Sequence, residues 1–453
     1  KFGGNGIDIG YAVKQTLDRQ YIVAGSTSSH GAGNTDFFLL KVDSMGQFMW
    51  EKNFGGFNND VARSVIQLAD SGYVITGFTN SFGNGGYDFL TIRTDKMGNT
   101  IWQVPFGGQD WDFAYDVVQC SDGGIVVCGS TTSFGSGKMD GCVIKYDMNG
   151  NFLWQKFFGG TEDDDLRAII ITNDNNLAVV GRNSYYDVNG DCFFAKLTNT
   201  GDTIFTRFYG GINKDYANDL VQKGLDSSYI IGGAQTFSTN TKTQSMMYCL
   251  HKNGDAWWNN NFYWDNNDGA WVCLASSYLK PNYTGYVRND QVTNFKQQGT
   301  IFYAQPTGFP EIANSAGGPD DETIYGIDGT RDGGFVRVGT TKSFGSINGD
   351  IYFVKQDTLI INYADAVRIG ENLKSDDFVF LIKKHSKIFE AENLNSRLFD
   401  MVTVYDLTGK IIKQTKCQFE IEVLNLSEFS NSIYLISFSK ENKLVYKTKI
   451  IND

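Results

Sequence analysis

An acidic residue recurs at a fixed place along this sequence and is the first candidate for chemistry. Carboxylates can coordinate Ca²⁺, act as general acids or bases, or accept hydrogen bonds from backbone amides. A catalytic site is usually single, so a repeated acid favours a structural role, with Ca²⁺ binding beside neighbours such as Asp163 and Asp165 as the alternative. The repeated acids are Asp8, Asp60, Asp112, Asp164, Asp215, Asp268 and Glu322.

No other set of residues forms a catalytic motif. The three histidines, His30, His251 and His385, are scattered, whereas a histidine-based metal site needs several of them to converge. Nucleophile elbows, zinc-protease motifs and kinase motifs are absent from the sequence. We therefore expect a non-enzyme with no catalytic residues and no cofactor, unless the repeated acids bind calcium. A glycosidase-type pair among the many carboxylates stays open.

Charge and hydropathy exclude two classes of protein. The net charge is −12, which disfavours nucleic acid as a partner because nucleic acid attracts basic surfaces. No apolar run is long enough for a transmembrane segment. The seven cysteines are an odd number without CxxC spacing, which indicates small buried hydrophobic residues rather than a disulfide framework.

The acids lie within an internal repeat. Phe-Gly-Gly begins at Phe2, Phe54, Phe106 and Phe158, and weaker versions continue the series, so that units start near residues 2, 54, 106, 158, 209, 262 and 316. The paired glycines are interpreted as residues with positive φ where the chain crosses between units. An aromatic residue four positions earlier is interpreted as packing between units rather than a sugar platform; these residues are Trp50, Trp102, Trp154, Phe205 and Trp258.

Each unit has the pattern of four strands. In the second unit, apolar runs after Asp60, at 73–77, at 88–92 and at 101–104 are separated by glycine-rich turns. Four strands per unit of this length are typical of a propeller blade. The sequence therefore predicts an all-β chain with a seven-bladed β-propeller over residues 1–368. The text "D-x-A-x-S-V … G-x-T-x-S-F-G-x-G-x-x-D-F" resembles β-propeller repeats of large secreted bacterial proteins, a resemblance that specifies a fold and no activity.

The repeat is least regular in its last three units, and loops that depart from a repeat often bind ligands. The sixth unit holds half of the tryptophans, and an irregular stretch follows it. We expect a glycan or protein ligand on blades 5–7, although sequence drift would leave the same pattern. The candidate ligand residues are Trp257, Trp258, Trp264, Trp271, Tyr278 and Tyr283.

The repeat ends before residue 371, and the composition changes there. Residues 371–453 carry 12 basic and 12 acidic side chains, so the negative charge belongs to the repeats. Five to seven short strands predict a small antiparallel β-sandwich. The segments "V-x-V-Y-D-L-T-G-K", "L-N-L-S-x-F", "S-I-Y-L-I-S" and "K-T-K-I-I" resemble the type A C-terminal sorting domain of the type IX secretion system of Bacteroidota. An ordinary fibronectin-like sandwich is the alternative.

That resemblance implies export across the outer membrane through the type IX translocon, with recognition by an outer-membrane barrel shuttle protein. The expected location is the cell surface or the medium. We expect a binding protein, with a secreted polysaccharide hydrolase or lyase as the alternative. The resemblance places recognition of the sorting domain on Tyr405, Asp406, Gly409, Tyr434, Lys447 and Lys449.

Overall fold

A computed structural model gives the fold, in which every assigned element is a β-strand. The chain divides into two compact units, residues 1–357 and 358–453. The predicted boundary between residues 368 and 371 falls outside the described residues. The structure describes all residues except 185–188, 212, 224–226, 238–239, 263–271, 277–283, 293–295, 305–309, 317–319, 321, 344–347, 357–379, 386–387, 394–400, 406–409, 417–420, 426–431, 441–442 and 453.

The first unit is a β-propeller, whose blades 1 to 6 are antiparallel sheets of four consecutive strands each. Blades 1 to 3 contain β1 Asp8–Gln15, β2 Tyr21–Thr27, β3 Asp36–Val42, β4 Phe48–Phe54, β5 Asp60–Gln67, β6 Tyr73–Thr79, β7 Asp88–Thr94, β8 Thr100–Phe106, β9 Asp112–Gln119, β10 Ile125–Thr131, β11 Asp140–Tyr146 and β12 Phe152–Phe158. Blades 4 to 6 contain β13 Asp165–Ile171, β14 Leu177–Asn183, β15 Asp191–Leu197, β16 Thr203–Tyr209, β17 Asp215–Gln222, β18 Tyr229–Phe237, β19 Asn240–Leu250, β20 Ala256–Phe262, β21 Val272–Ser276, β22 Thr284–Val292, β23 Lys296–Ala304 and β24 Pro310–Ala316.

The seventh unit forms a sheet of only three strands, β25 Glu322–Gly329, β26 Phe335–Thr341 and β27 Asp350–Gln356. The predicted number of blades was therefore wrong: the described residues form six complete blades, not seven. The physical reason lies at the edge of β27. Among the described residues, only Phe2 pairs at its fourth-strand position, through a single antiparallel bridge with Ile351.

In blades 1 and 3 the core lies in the second and third strands. Strands β2, β3, β10 and β11 are buried along their whole length, in keeping with their β-branched and aromatic content. The fourth strands begin exposed, as in β4 and β8. These two blades therefore pack their middle strands against both neighbouring blades, and the outer strands are more exposed.

The ring closes between the first and seventh units. Phe2 and Ile351 exchange two backbone hydrogen bonds, with N–O distances of 3.2 and 2.8 Å. Below them, Val13 and Tyr21 of blade 1 share a buried core with Val338 of the seventh sheet. The first repeat is thus a neighbour of the last.

The aromatic residue before Phe-Gly-Gly packs between blades, which confirms its predicted role for Trp102. Its indole Nε1 donates to the carbonyl oxygen of Met148 in the next blade, at 3.0 Å. Gly150 follows in the same turn with a φ of +82°, and a Cβ there would lie 3.0 Å from the Trp102 ring. Glycine is required at this position both by the turn and by the ring.

The second unit contains two antiparallel sheets. The first has the order β28–β29–β32 and the second the order β31–β30–β33–β34. Packing of the two sheets face to face, which a sandwich requires, stays a prediction. The strands are β28 Phe380–His385, β29 Ile388–Asn393, β30 Met401–Tyr405, β31 Ile411–Lys416, β32 Ile421–Asn425, β33 Ser432–Lys440 and β34 Lys443–Asn452.

Candidate functional site

The repeated acids are buried and accept hydrogen bonds at the point where the chain enters each blade. In blade 3, Oδ2 of Asp112 accepts from Ser133 Oγ at 2.7 Å and from the Gly108 amide at 2.8 Å. Its Oδ1 accepts from the hydroxyl of Thr131. One carboxylate therefore connects the Phe-Gly-Gly segment to the loop after the second strand.

The same contacts recur around the ring. Asp8 and Asp60 accept from a threonine, a serine and a glycine amide in the same pattern. Asp164 and Asp215 accept from the amides of Gly160 and Gly211, and Glu322 accepts from Thr341 Oγ1 at 2.9 Å. Asp268 lies outside the described residues. These contacts favour the structural interpretation of the acids, which stays a prediction.

In blades 1 to 5, a second acid at the start of a third strand faces the repeated carboxylate across the first glycine of the motif. A Cβ on Gly107 would lie 1.9 Å from Oδ1 of Asp88 and 2.6 Å from Oδ2 of Asp112. Gly55 and Gly159 lie between acids in the same way and, like Gly107, do not have a positive φ. The interpretation that the paired glycines supply positive φ was therefore wrong in these blades, where the glycine is needed for space.

Burial changes the proton affinity of this second acid. Desolvation raises the pKa of Asp88 to about 6, and the nearby charge of Asp112 adds to the effect. Oδ1 of Asp88 is buried and has no hydrogen-bond partner among the described residues. The described residues contain no group of three or more metal-ligating side chains of the His, Cys, Asp and Glu types. The calcium interpretation of the repeated acids stays untested.

The candidate functional site lies at the centre of the propeller, in a cavity of about 500 Å³. Its walls come from the first strands of the blades, β1, β5, β9, β13, β17 and β21, together with β25. We call the end at which these strands begin the mouth. Tyrosine and arginine side chains line it three residues after the repeated acid: Tyr11, Arg63, Tyr115, Arg167 and Tyr325.

These side chains stack around the mouth. The guanidinium of Arg63 lies 4.4 Å from the ring centre of Tyr11 and 5.7 Å from that of Tyr115. Tyr11 in turn lies 5.1 Å from Tyr325, centre to centre. Arginine over an aromatic face is a favourable pairing that also holds the guanidinium in a fixed plane. The mouth therefore presents rigid aromatic faces and oriented hydrogen-bond donors.

Two aspartates lie deeper in the cavity wall. Asp116 accepts from Ser64 Oγ at 2.7 Å and from the Ile169 amide of the next blade at 3.0 Å. Asp219 accepts from the Leu220 amide at 2.8 Å and from the Leu274 amide at 2.7 Å. Burial raises the pKa of both, that of Asp219 to about 7. Their oxygens connect neighbouring blades, which favours a structural role over acid–base catalysis.

The ligand residues predicted on blades 5–7 are only partly described. Trp257 lies on β20, is 55% exposed, and stacks on His251 with 5.3 Å between ring centres. Trp258 lies on the same strand, and its side chain is outside the described residues. Trp264, Trp271, Tyr278 and Tyr283 also lie outside them.

The residues predicted for sorting are distributed over three strands. Tyr405 ends β30, Tyr434 lies on β33, and Lys447 and Lys449 lie on β34. Tyr434 pairs with Ile450, and Leu435 pairs with Lys449. Asp406 and Gly409 lie outside the described residues, as do the side chains of the other four.

The residues that line the mouth were not predicted from the sequence. Arg63 and Tyr115 carry no motif and look like ordinary strand residues. The signal that could have found them is the aligned repeat, in which the third residue after the acid is tyrosine or arginine in most units. A position of the repeat that holds these two residue types, in the strand that lines the channel, predicts a binding surface.

The end of the chain matches a known family. Residues 386–452 match the model described as "Secretion system C-terminal sorting domain". The chain therefore carries the sorting domain of type IX secretion cargo and is exported to the cell surface or beyond. The described residues contain no helix with the length and hydrophobicity of a membrane span.

The remaining similarities concern the propeller. The chain is 24% identical over 254 residues to the regulatory protein FlaEY of Caulobacter vibrioides, covering 49% of this chain and 26% of that protein. The lectin BP39L of Burkholderia pseudomallei matches with a TM-score of 0.52 and 9% identity, over 79% of this chain and 97% of that one. PorZ, a surface component of the type IX secretion system of Porphyromonas gingivalis, matches with a TM-score of 0.48 and 11% identity, over 99% and 60%. The chain thus spans about a quarter of FlaEY, and the match to BP39L supports the propeller fold.

Proposed function

We propose that this protein is a secreted or surface-exposed binding protein, whose propeller holds a glycan at the channel mouth and whose C-terminal domain is the export signal. The observation that carries the proposal is the stacking of Arg63 between Tyr11 and Tyr115. Aromatic faces contact the C–H faces of sugars, and a fixed guanidinium donates to sugar oxygens. A lectin among the proteins of similar fold is compatible with this role.

Binding to a glycan array tests the proposal. We expect the purified chain to bind at least one glycan, and Arg63→Ala to weaken that binding about tenfold. Arg63→Lys keeps the charge and loses the planar contact, so it should also bind more weakly. Lys96→Ala is the control, because Lys96 is exposed in the turn between the outer strands β7 and β8, on the face of the propeller opposite the mouth. Unchanged binding in both Arg63 variants would contradict the assignment.

The surface of blades 5–7 is the second candidate location. Trp257 supports it, because a tryptophan that is 55% exposed on an outer strand is available to a ligand. A protein ligand would suit such an outer edge better than a glycan. Trp257→Ala tests this location, and loss of binding in that variant alone would move the ligand site there.

A polysaccharide hydrolase or lyase is the competing class. Asp116 and Asp219 support it, since both line the cavity and the pKa of Asp219 is raised to about 7, the range of a general acid. Their backbone hydrogen bonds argue against it, because an acid–base group needs an oxygen free for the substrate. Release of reducing ends by the wild-type chain, with loss in Asp219→Asn, would establish the enzyme instead.

A further inference from the structure

The mouth of the channel has two chemically different sides. The comparison is clearest one residue after each repeated acid, where blades 3, 4 and 5 carry Phe113, Asp165 and Tyr216. Apart from Arg63, the side formed by blades 2 and 3 is aromatic, and the side formed by blades 4 and 5 carries charged side chains beside Tyr216. Since blades 3 and 4 are neighbours, the two sides adjoin.

The aromatic side ends in an exposed indole. Trp111 is 59% exposed and lies 6.2 Å from Phe113, between ring centres. Tyr87 and Phe78 continue the group at 5.6 and 5.0 Å from Phe113. A Cβ on Gly86 would lie 2.3 Å from Cδ1 of Trp111, so the indole rests on backbone that has no side chain. One side of the indole therefore contacts backbone, and the rest of the ring is largely exposed to solvent.

The charged side brings three cations together. Arg167 and Lys214 lie over the same ring, that of Tyr216, at 5.3 and 5.8 Å from its centre. Arg167 Nε lies 3.0 Å from Oδ1 of Asp165, and Arg182 Nε lies 3.8 Å from its Oδ2. Among the described residues, Nε of Arg182 is buried without a hydrogen-bond acceptor.

Three acids lie around these three cations, and two of the acids are already held by other contacts. Asp165 is shared by two arginines, and Asp164 already accepts from the amides of Gly160 and Ser184. The exposed Asp163 is the other acid that acts on Lys214. Burial lowers the pKa of Lys214, and the charges of Arg182 and Arg167 lower it further. Three cations in mutual repulsion form a site that an added anion would stabilise.

We propose that the mouth binds a saccharide that carries carboxylates, with one sugar ring stacked on Trp111 and a carboxylate at Arg182 and Lys214. This inference rests on the proposed function and adds the class of ligand. Aromatic stacking selects a ring with an apolar face, and guanidinium and ammonium groups select a carboxylate over a hydroxyl. Adjoining aromatic and cationic sides therefore fit a uronate polymer better than a neutral one.

The test compares acidic polymers with their own reduced forms. Polygalacturonate, alginate and hyaluronate, each paired with a derivative whose carboxylates are reduced to alcohols, are titrated calorimetrically against the full chain. We expect one polyuronate to bind at least about tenfold more tightly than its reduced form, and less tightly at high salt. Equal binding of every pair would overturn the carboxylate assignment while the proposed function stands. Failure to bind any glycan on the array would overturn the proposed function itself.

Two pairs of variants test the location. Trp111→Ala and Lys214→Gln should each weaken binding of the preferred polyuronate about tenfold. Phe152→Ala and Lys96→Ala are the matched controls, an exposed aromatic residue and an exposed lysine away from the mouth, and should bind as the wild type does. Lys214→Gln should also reduce the preference over the neutral polymer, a change that misfolding would not produce. Wild-type affinity in Trp111→Ala and Lys214→Gln would overturn the location.

Discussion

Asp88 and Asp112 face each other across the backbone of Gly107, each within 2.6 Å of the point where a Cβ of that glycine would lie. The relationship recurs between Asp36 and Asp60 across Gly55, and between Asp140 and Asp164 across Gly159. One acid begins the third strand of a blade, and the other begins the first strand of the next or, for Asp164, directly precedes it. At the Phe-Gly-Gly motif, the chain therefore runs between two carboxylates as it crosses from one blade to the next.

A methyl group on the glycine between the two carboxylates should lower the free energy of unfolding of the propeller. Gly107→Ala would place Cβ 1.9 Å from Oδ1 of Asp88, and overpacking of this kind typically costs about 1–3 kcal/mol. Gly160→Ala is the matched control, because no atom lies within 4 Å of the Cβ it would add. Urea denaturation of the two variants measures the difference. Equal stability would show that the two acids move apart freely.

Removal of the repeated acid should cost stability without affecting a distant ligand. Asp112→Ala leaves the donors of Thr131, Ser133 and Gly108 without their acceptor, at a cost of about 1–3 kcal/mol. Asp110→Ala, at an exposed neighbour, is the control. Thermal melts with and without calcium decide between the two interpretations of the acid. A melting temperature that rises with calcium in the wild type and not in Asp112→Ala would establish a metal site.

The raised pKa of Asp88 predicts that the stability of the fold depends on pH. The pKa of Asp88 is about 6 in the folded protein and 3.8 ordinarily, so the folded state binds more protons than the unfolded chain between those values. Stability should therefore fall as pH rises from about 4 to about 6, and Asp88 should destabilise the fold above that window. Asp88→Asn should raise the melting temperature by about 1–3 °C at pH 7.5 and leave it unchanged near pH 4. A lower melting temperature of Asp88→Asn at pH 7.5 would mean that the folded protein stabilises the ionised carboxylate of Asp88.

The sorting domain predicts a defect in location rather than in folding. A chain that lacks residues 358–453 should retain a folded propeller and accumulate in the periplasm, because the two units are compact separately. Fractionation and surface proteolysis of whole cells measure this. In the converse experiment, the same segment fused to an unrelated periplasmic protein should carry that protein to the surface. Normal surface amounts of the truncated chain would contradict the assignment.

Within the sorting domain, Tyr434 and Lys447 are the positions we expect the barrel shuttle to need, by resemblance to the family. Tyr434→Ala and Lys447→Ala should reduce the surface fraction of the full chain and leave the melting temperature of the propeller unchanged. Lys96→Ala is the control for a change of surface charge. If both variants reach the surface in wild-type amounts, the recognition residues lie elsewhere.

The sequence predicted the repeated elements better than the site. Phe-Gly-Gly and the acid six residues later recur because every blade uses the same carboxylate contacts, so Asp60 and Asp112 mark the same place in the fold. Arg63 and Tyr115 have no such constraint, because the mouth is one surface assembled from single residues of several blades. Trp111 was missed for a related reason. Its significance depends on Gly86 and Phe113, which come from different blades and meet only after folding.

The pairing of Phe2 with Ile351 bears on how the exported protein withstands proteases. In an open array of repeats, a single cut separates the chain into two pieces that share one interface. In this ring, a cut in one loop leaves both pieces in contact at the cut blade and again where Val13 and Tyr21 meet Val338. A nicked molecule should therefore remain assembled until a second cut is made, and it should migrate as intact protein until it is denatured.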